Sequence, residues 1–145
     1  MAKATFNVTA ESAGMRSDIK AGKHTIIIDE PASMGGKDTG ADPLSTMLAS
    51  LAGCENVIAN FVAKEIGFDL QGMSFTITGE LDTRGLMGEE GVRPYFEKIS
   101  IQALVKTTES DERIQELKEM TDKRCPVYTG FKAAGVELLT EWKKA

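Results

Sequence analysis

The chain has 145 residues, of which 41% are hydrophobic and 27% charged, with a formal net charge of −5. That length suits one compact domain over residues 1–145, able to bury about two thirds of its unfolded surface. The acidic balance and the lack of a basic run argue against a nucleic-acid partner. No stretch approaches the ~20 apolar residues of a membrane span, and residues 1–10 lack the layout of a secretion signal, so a soluble cytoplasmic protein is expected.

In chain order, residues 3–10 alternate, with Phe6, Val8 and Ala10 on one side, which predicts a half-buried strand. A second strand, His24 to Asp29, is rich in β-branched residues and is entered through Gly22 and left through Pro31. The stretch SMGGKDTGAD (33–42) is a loop; its glycines do not form a P-loop, because Gly40 is followed by Ala41 and Asp42 instead of Lys and Ser or Thr. Asp42 then caps a helix with Pro43 in its first turn, and Leu44, Met47, Leu48, Leu51, Ile58, Phe61 and Val62 recur at helical spacing until Gly67. This predicts a long, largely buried helix.

Residues 70–83 and 95–107 alternate as strands, and the polar, Gly-rich connection RGLMGEEGVRP lets them pair antiparallel. Ser110 caps a further helix that ends near Lys123 and Arg124, and Cys125-Pro126 starts a short one running to about Ala134. A last strand runs from Val136 to Trp142. This order predicts an α+β fold with an antiparallel sheet packed on the long helix. His24, lying in a strand, reads as a structural or surface residue, and Phe131 and Trp142 as core or interface residues.

One His and two Cys leave few chemistries. A Ser-His-Asp triad would have to use His24, and a zinc site would have only Cys54, Cys125 and His24 beside carboxylates. Two cysteines are also too few for a secreted disulfide scaffold. No metal or cofactor is expected, and the cysteines become the candidates.

Cys54 projects from the apolar stripe of the long helix, which buries its thiol; an unpaired cysteine there serves either as a small hydrophobe or as a functional thiol. Cys125 sits at a helix N-terminus beside Lys123 and Arg124, a setting that favours a thiolate and a pKa below the usual ~8.5. Spacing alone leaves open whether the two meet. Together they suggest redox work, in which one thiolate becomes a sulfenic acid and the other condenses with it. Attack on a peroxide also needs a cationic donor, for which Arg16, Arg84, Arg93, Arg113 and Arg124 are all candidates.

Two segments carry a family resemblance: GGKDTGADPLSTMLASLAGCENV and CPVYTGFKAAGVEL. The first is similar to the glycine-bearing loop, Asn/Asp-Pro helix start and helical cysteine of the osmotically inducible protein C and organic hydroperoxide resistance superfamily, and the second resembles its Cys-Pro motif. The chain is identified as a divergent member. The resemblance implies an intertwined homodimer with central long helices, and a cytoplasmic thiol peroxidase that reduces organic hydroperoxides in oxidative-stress defence with a small dithiol or dithiol protein as reductant. It implies Cys54 as the peroxidatic cysteine, Cys125 as the resolving one, and Arg16 as the activating arginine. Apolar residues such as Met47 and Phe61 would line the entry for an alkyl peroxide.

The sequence departs from the family pattern in one place. Leu44 and Ser45 stand where better-studied branches carry a glutamate that pairs with the arginine. Glu55, roughly 100° around the helix from Cys54, is a poor substitute. The same fold could also serve a non-catalytic, dimeric small-molecule-binding or redox-sensing protein.

Overall fold

The computed structural model describes residues 2–145 and divides into two compact units, residues 1–47 and 48–145. In the first, β1 (Thr9–Ala13), β2 (Arg16–Ala21) and β3 (His24–Ile28) form an antiparallel meander. Gly14 (φ 59°) and Gly22 (φ 62°) occupy the left-handed turn positions that let the chain reverse twice within so few residues. The first strand starts later than the alternation suggests: residues 2–8 lie outside any strand, with Phe6 91% and Val8 61% exposed. β2 is not foreseen by the hydrophobic pattern, because Ile19 is its one large apolar residue and the polar neighbours hide the alternation.

Asp29 organises the loop that leaves β3. It is buried, and its carboxylate accepts hydrogen bonds from the N–H groups of Glu30 (2.8 Å), Lys37 (3.3 Å) and Thr39 (3.1 Å) and from the Thr39 hydroxyl (2.6 Å). The Thr39 hydroxyl first, and then these N–H groups, hold its carboxyl down at about 2. The loop glycines serve this same closure. A Cβ on Gly36 would stand 1.9 Å from the Glu30 carbonyl oxygen, and one on Gly40 2.4 Å from that of Ile27. The glycine-rich run is therefore a backbone-packing device, as its lack of a P-loop pattern implies.

The boundary between the units falls inside α1 (Pro43–Ile66). The Asp42 carboxylate accepts from the Ser45 N–H (3.0 Å), and Gly67 (φ 65°) ends the helix while Phe68 N–H returns to the Ala63 carbonyl (2.8 Å). By length and mean hydropathy (1.2) α1 is long and apolar enough to cross a membrane, contrary to the expectation that no stretch is. Its buried row, Leu51, Glu55, Ala59, Val62 and Ala63, belongs instead to the interior. The expected stripe is also displaced, since Leu44, Met47 and Phe61 are exposed with Val57.

In the second unit β4 (Gly72–Glu80), β5 (Lys98–Lys106) and β6 (Glu137–Lys144) form one sheet in the order β4-β5-β6, with a short α2 (Thr83–Leu86) in the β4–β5 connection. β4 and β5 pair antiparallel as expected, whereas β6 runs parallel to β5. The α+β class holds, but this sheet is mixed and not wholly antiparallel. The parallel pair arises from the connection: α3 (Asp111–Arg124) and α4 (Pro126–Ala133) carry the chain back before β6 begins.

Two clusters make the core. Ala59, Val62 and Ala63 of α1 pack with Ala103, Val105, Ile114, Leu117 and Trp142, and Leu51 packs with Phe96, Ile99, Ile101, Cys125, Tyr128 and Phe131. Phe131 and Trp142 are thus core residues, as expected. Leu117 is fully buried, so Leu117→Ala should cost about 2–5 kcal/mol in a urea unfolding experiment. Asp29→Asn should accelerate amide hydrogen exchange at Lys37 and Thr39 while leaving the β4–β5 amides protected.

Candidate active site

α1 and the α3–α4 junction bring Cys54 and Cys125 together. Both are free thiols, and the Cys125 thiol lies beside that of Cys54. Cys54 is half-buried, less than its place in the stripe suggests, and packs on the cluster that contains Cys125. Cys125 is fully buried and caps α4: its Sγ accepts from the Tyr128 N–H at 3.4 Å, with Pro126 as the first helical residue.

The helix start does not yield a thiolate at Cys125. Burial, then the contact with the Cys54 thiol, pushes its pKa up to about 12, against the lowering effect of the Tyr128 N–H. The neighbouring cation is also spent elsewhere, since Arg124 forms a two-bond pair with Glu65 (2.5 and 3.1 Å). The expected low pKa is therefore corrected to a high one: desolvation outweighs the dipole.

Next to the thiols lies a group that the hydrophobic pattern disguises. Glu55 is 0% exposed, and neither carboxyl oxygen has a hydrogen-bonding partner. Facing it are Asp122 and Lys118 of α3 and the Cys125 thiol. Burial first, then Asp122, raises its carboxyl to about 9, so it is neutral at physiological pH. Asp122 is nearly buried, one oxygen receiving Lys118 Nζ at 3.1 Å and the other unpartnered. The signal that could have found Glu55 is its spacing, four residues after Leu51 and four before Ala59, squarely in the buried row.

Arg16 opens β2 in the first unit. Its Nε and Nη2 bind the two Asp18 oxygens at 3.1 and 2.9 Å, a fork favoured by two residues on one face of a strand. Of the other candidates, Arg84 pairs with Asp82 and Glu89, and Arg113 with Glu109 and Glu116. Arg93 donates to the Phe96 carbonyl (2.8 Å) and lies over the Tyr95 ring. Among the described residues no cluster of His, Cys, Asp or Glu is arranged to hold a metal ion.

The sequence profile of a family described as OsmC-like protein matches residues 36–139, well over half of the chain and both cysteine segments. The chain belongs to this family. Two curated relatives carry the name hydroperoxide reductase: one from Mycoplasma genitalium, 32% identical over 92 residues (63% of this chain, 62% of the relative), and one from Mycoplasma pneumoniae, 28% identical over 89 residues (61% and 60%). The chain thus spans about three fifths of the length of these relatives. The solved structure of an OsmC-like protein from Mycoplasma pneumoniae superposes with a TM-score of 0.82 at 19% identity, over 99% of this chain and 100% of that one, which shows the shared fold.

The buried carboxyl makes a pH prediction. Its folded value of about 9 lies above its ordinary 4.5, so its contribution to stability is full below pH 4.5 and is lost as pH rises towards 9. Glu55→Gln, which removes the titration, should therefore gain stability relative to the native chain between pH 5 and 8, by a few kcal/mol (about 1.4 per pH unit at most), in paired urea titrations.

Proposed function

We propose that the protein is a thiol-dependent peroxidase that reduces organic hydroperoxides, with Cys54 peroxidatic, Cys125 resolving and Arg16 activating. The observation that carries this reading is the opposed pair of free thiols, one half-buried on α1 and the other sealed at the start of α4. Membership of the family and the hydroperoxide reductase names of two relatives support it.

The Cys54 thiolate attacks the distal peroxide oxygen, the O–O bond breaks, and the alkoxide leaves as an alcohol after taking up a proton. Cys54 is then a sulfenic acid. The Cys125 sulfur displaces its hydroxyl as water, closing a disulfide, and a small dithiol or dithiol protein returns both thiols by exchange. Arg16 would stabilise the departing oxygen through its guanidinium, with Asp18 holding the fork in place of the glutamate that is absent at Leu44 and Ser45.

One domain over residues 1–145, acting in the cytoplasm as an intertwined homodimer, completes the proposal. The exposed apolar residues of α1, Leu44, Met47, Val57 and Phe61, support a partner helix at that face. Met47 and Phe61 would then border the route by which an alkyl peroxide enters. A second reading, a redox sensor on the same fold, is favoured by the high pKa of Cys125, which makes it a slow nucleophile.

Counting free thiols after addition of cumene hydroperoxide tests the proposal. The reduced protein should lose two thiols per chain much faster than a free model thiol, with alcohol formed continuously when a dithiol is supplied. Cys54→Ser should abolish turnover, and Cys125→Ser should leave a Cys54 sulfenic acid that over-oxidises. Stoichiometric oxidation without turnover would select the sensor, and thiol loss no faster than that of the free thiol would sink the peroxidase.

A further inference from the structure

The resolving step puts charge on a sulfur that the fold seals off. A sulfur that attacks or leaves in thiol–disulfide chemistry carries negative charge in the transition state, and Cys125 is fully buried. The side chains clustered with it, Leu51, Phe96, Ile99, Ile101 and Phe131, offer that charge nothing. The adjoining cation, Arg124, is tied to Glu65. One donor does reach the sulfur: the Tyr128 N–H, 3.4 Å from Cys125 Sγ in a buried hydrogen bond.

We infer that the Tyr128 N–H is a catalytic group, which takes up the negative charge of the Cys125 sulfur both when that sulfur closes the disulfide and when it leaves on reduction. The inference rests on the peroxidase reading for the place of this disulfide in the cycle.

The start of α4 aims this N–H. Cys125 is the cap residue, with extended backbone (φ −71°, ψ 114°), and the following Pro126 confines it to that region. Pro126 has no N–H of its own. The Thr129 N–H is occupied by the Cys125 carbonyl at 2.9 Å, and the Thr129 hydroxyl bonds the same oxygen at 2.8 Å. The Cys125 backbone is thus held by two bonds while its sulfur faces Tyr128, whose own side chain is fixed in the same core cluster. Burial opposes loss of the Cys125 proton, and the Tyr128 N–H favours it. A neutral thiol sulfur is a weak acceptor, whereas bonds to ionised groups are shorter and stronger, so this bond tightens as charge develops. A contact that strengthens only in the transition state accelerates the step.

In closing, the Cys125 sulfur attacks the sulfur of the Cys54 sulfenic acid. The S–S bond forms, the S–O bond breaks, and the Cys125 proton leaves with the hydroxyl as water. In reopening, a dithiol thiolate attacks the Cys54 sulfur, the more exposed of the two. The S–S bond breaks and its electron pair passes to Cys125 Sγ. The second thiol of the reductant then displaces Cys54, the reductant leaves with its own two sulfurs joined, and the cysteines take up the two protons that it releases.

The test removes the N–H and keeps the tyrosine ring. The full chain is assembled by ligating residues 1–124 to a synthetic peptide that begins at Cys125 and carries an ester in place of the 127–128 amide. Closing is followed after cumene hydroperoxide and reopening after dithiothreitol, at one pH, together with the equilibrium of the disulfide in dithiothreitol buffers. Both rates should fall by the same factor, about tenfold, as expected for loss of one charge-assisted hydrogen bond, with the equilibrium and the formation of Cys54 sulfenic acid unchanged. A purely structural cap would not slow both directions equally. An ester at Ala134, whose N–H bonds the Gly130 carbonyl in the same helix, should leave both rates as they are in the native chain. Tyr128→Pro, which lacks the N–H, should show the same loss relative to Tyr128→Ala, which keeps it, and this pair decides the matter if the ester chain does not fold. Unchanged rates in the ester chain, or equal rates in the Pro and Ala variants, overturn the inference. Closing can equally be driven by oxidised dithiothreitol, so a native chain that reacts with cumene hydroperoxide no faster than a free thiol overturns the peroxidase reading, while the same ratio of rates still decides the role of the N–H.

Discussion

The packed face of α1 has to bury a carboxyl group. Leu51, Ala59, Val62 and Ala63 commit that face to the interior, and the helical repeat takes Glu55 in with them. An ionised carboxylate there would be prohibitively costly, so the group stays protonated, and its surroundings suit a neutral acid. Asp122 brings a second carboxyl paired with Lys118, and burial holds the proton of the Cys125 thiol more firmly still. These buried groups are neutral or paired, and none stands as a bare charge.

This setting divides the two cysteines by environment. The half-buried Cys54 stays partly open to solvent, whereas Cys125 is an integral part of the core, packed with Phe96, Ile99, Ile101 and Phe131 while capping α4 through its sulfur. The arginine shows a comparable local economy. Asp18, two residues along the same strand, grips Arg16 with both oxygens, so orienting this guanidinium requires no residue outside β2.

Much of the fold was legible where boundaries are chemically marked. Asp42-Pro43, Ser110 and Cys125-Pro126 announce α1, α3 and α4 because cap and first-turn residues act within a few positions of one another. β2 was not legible, since a strand carrying Arg16, Asp18 and Lys20 with a single large apolar residue has little alternation to read. The parallel partner of β5 escaped because pairing is a long-range property. The two cysteines and Arg16 stand out by residue type and family motif, and the nearness of the thiols is a product of packing. Glu55 and Asp122 were hidden because a charged residue in a helical pattern is ordinarily assigned to the solvent face. The Cys125 error has the same root: the helix start is visible in the sequence, and the depth of its burial is not.

The parallel pairing of β5 with β6 has a mechanical meaning. Because these strands are parallel neighbours, in the register Lys98 with Glu137 through Val105 with Lys144, the excursion through α3 and α4 leaves the sheet at one end and re-enters it at the other. Cys125 sits at the bend of that loop, between two helices that each return to the sheet. Its position is set from both sides, by α3 ending at it and α4 starting from it, and by its burial in one cluster with Leu51 of α1. The placement of that sulfur is therefore tied to the length of the crossover, which has to span the sheet from one end to the other before β6 can begin.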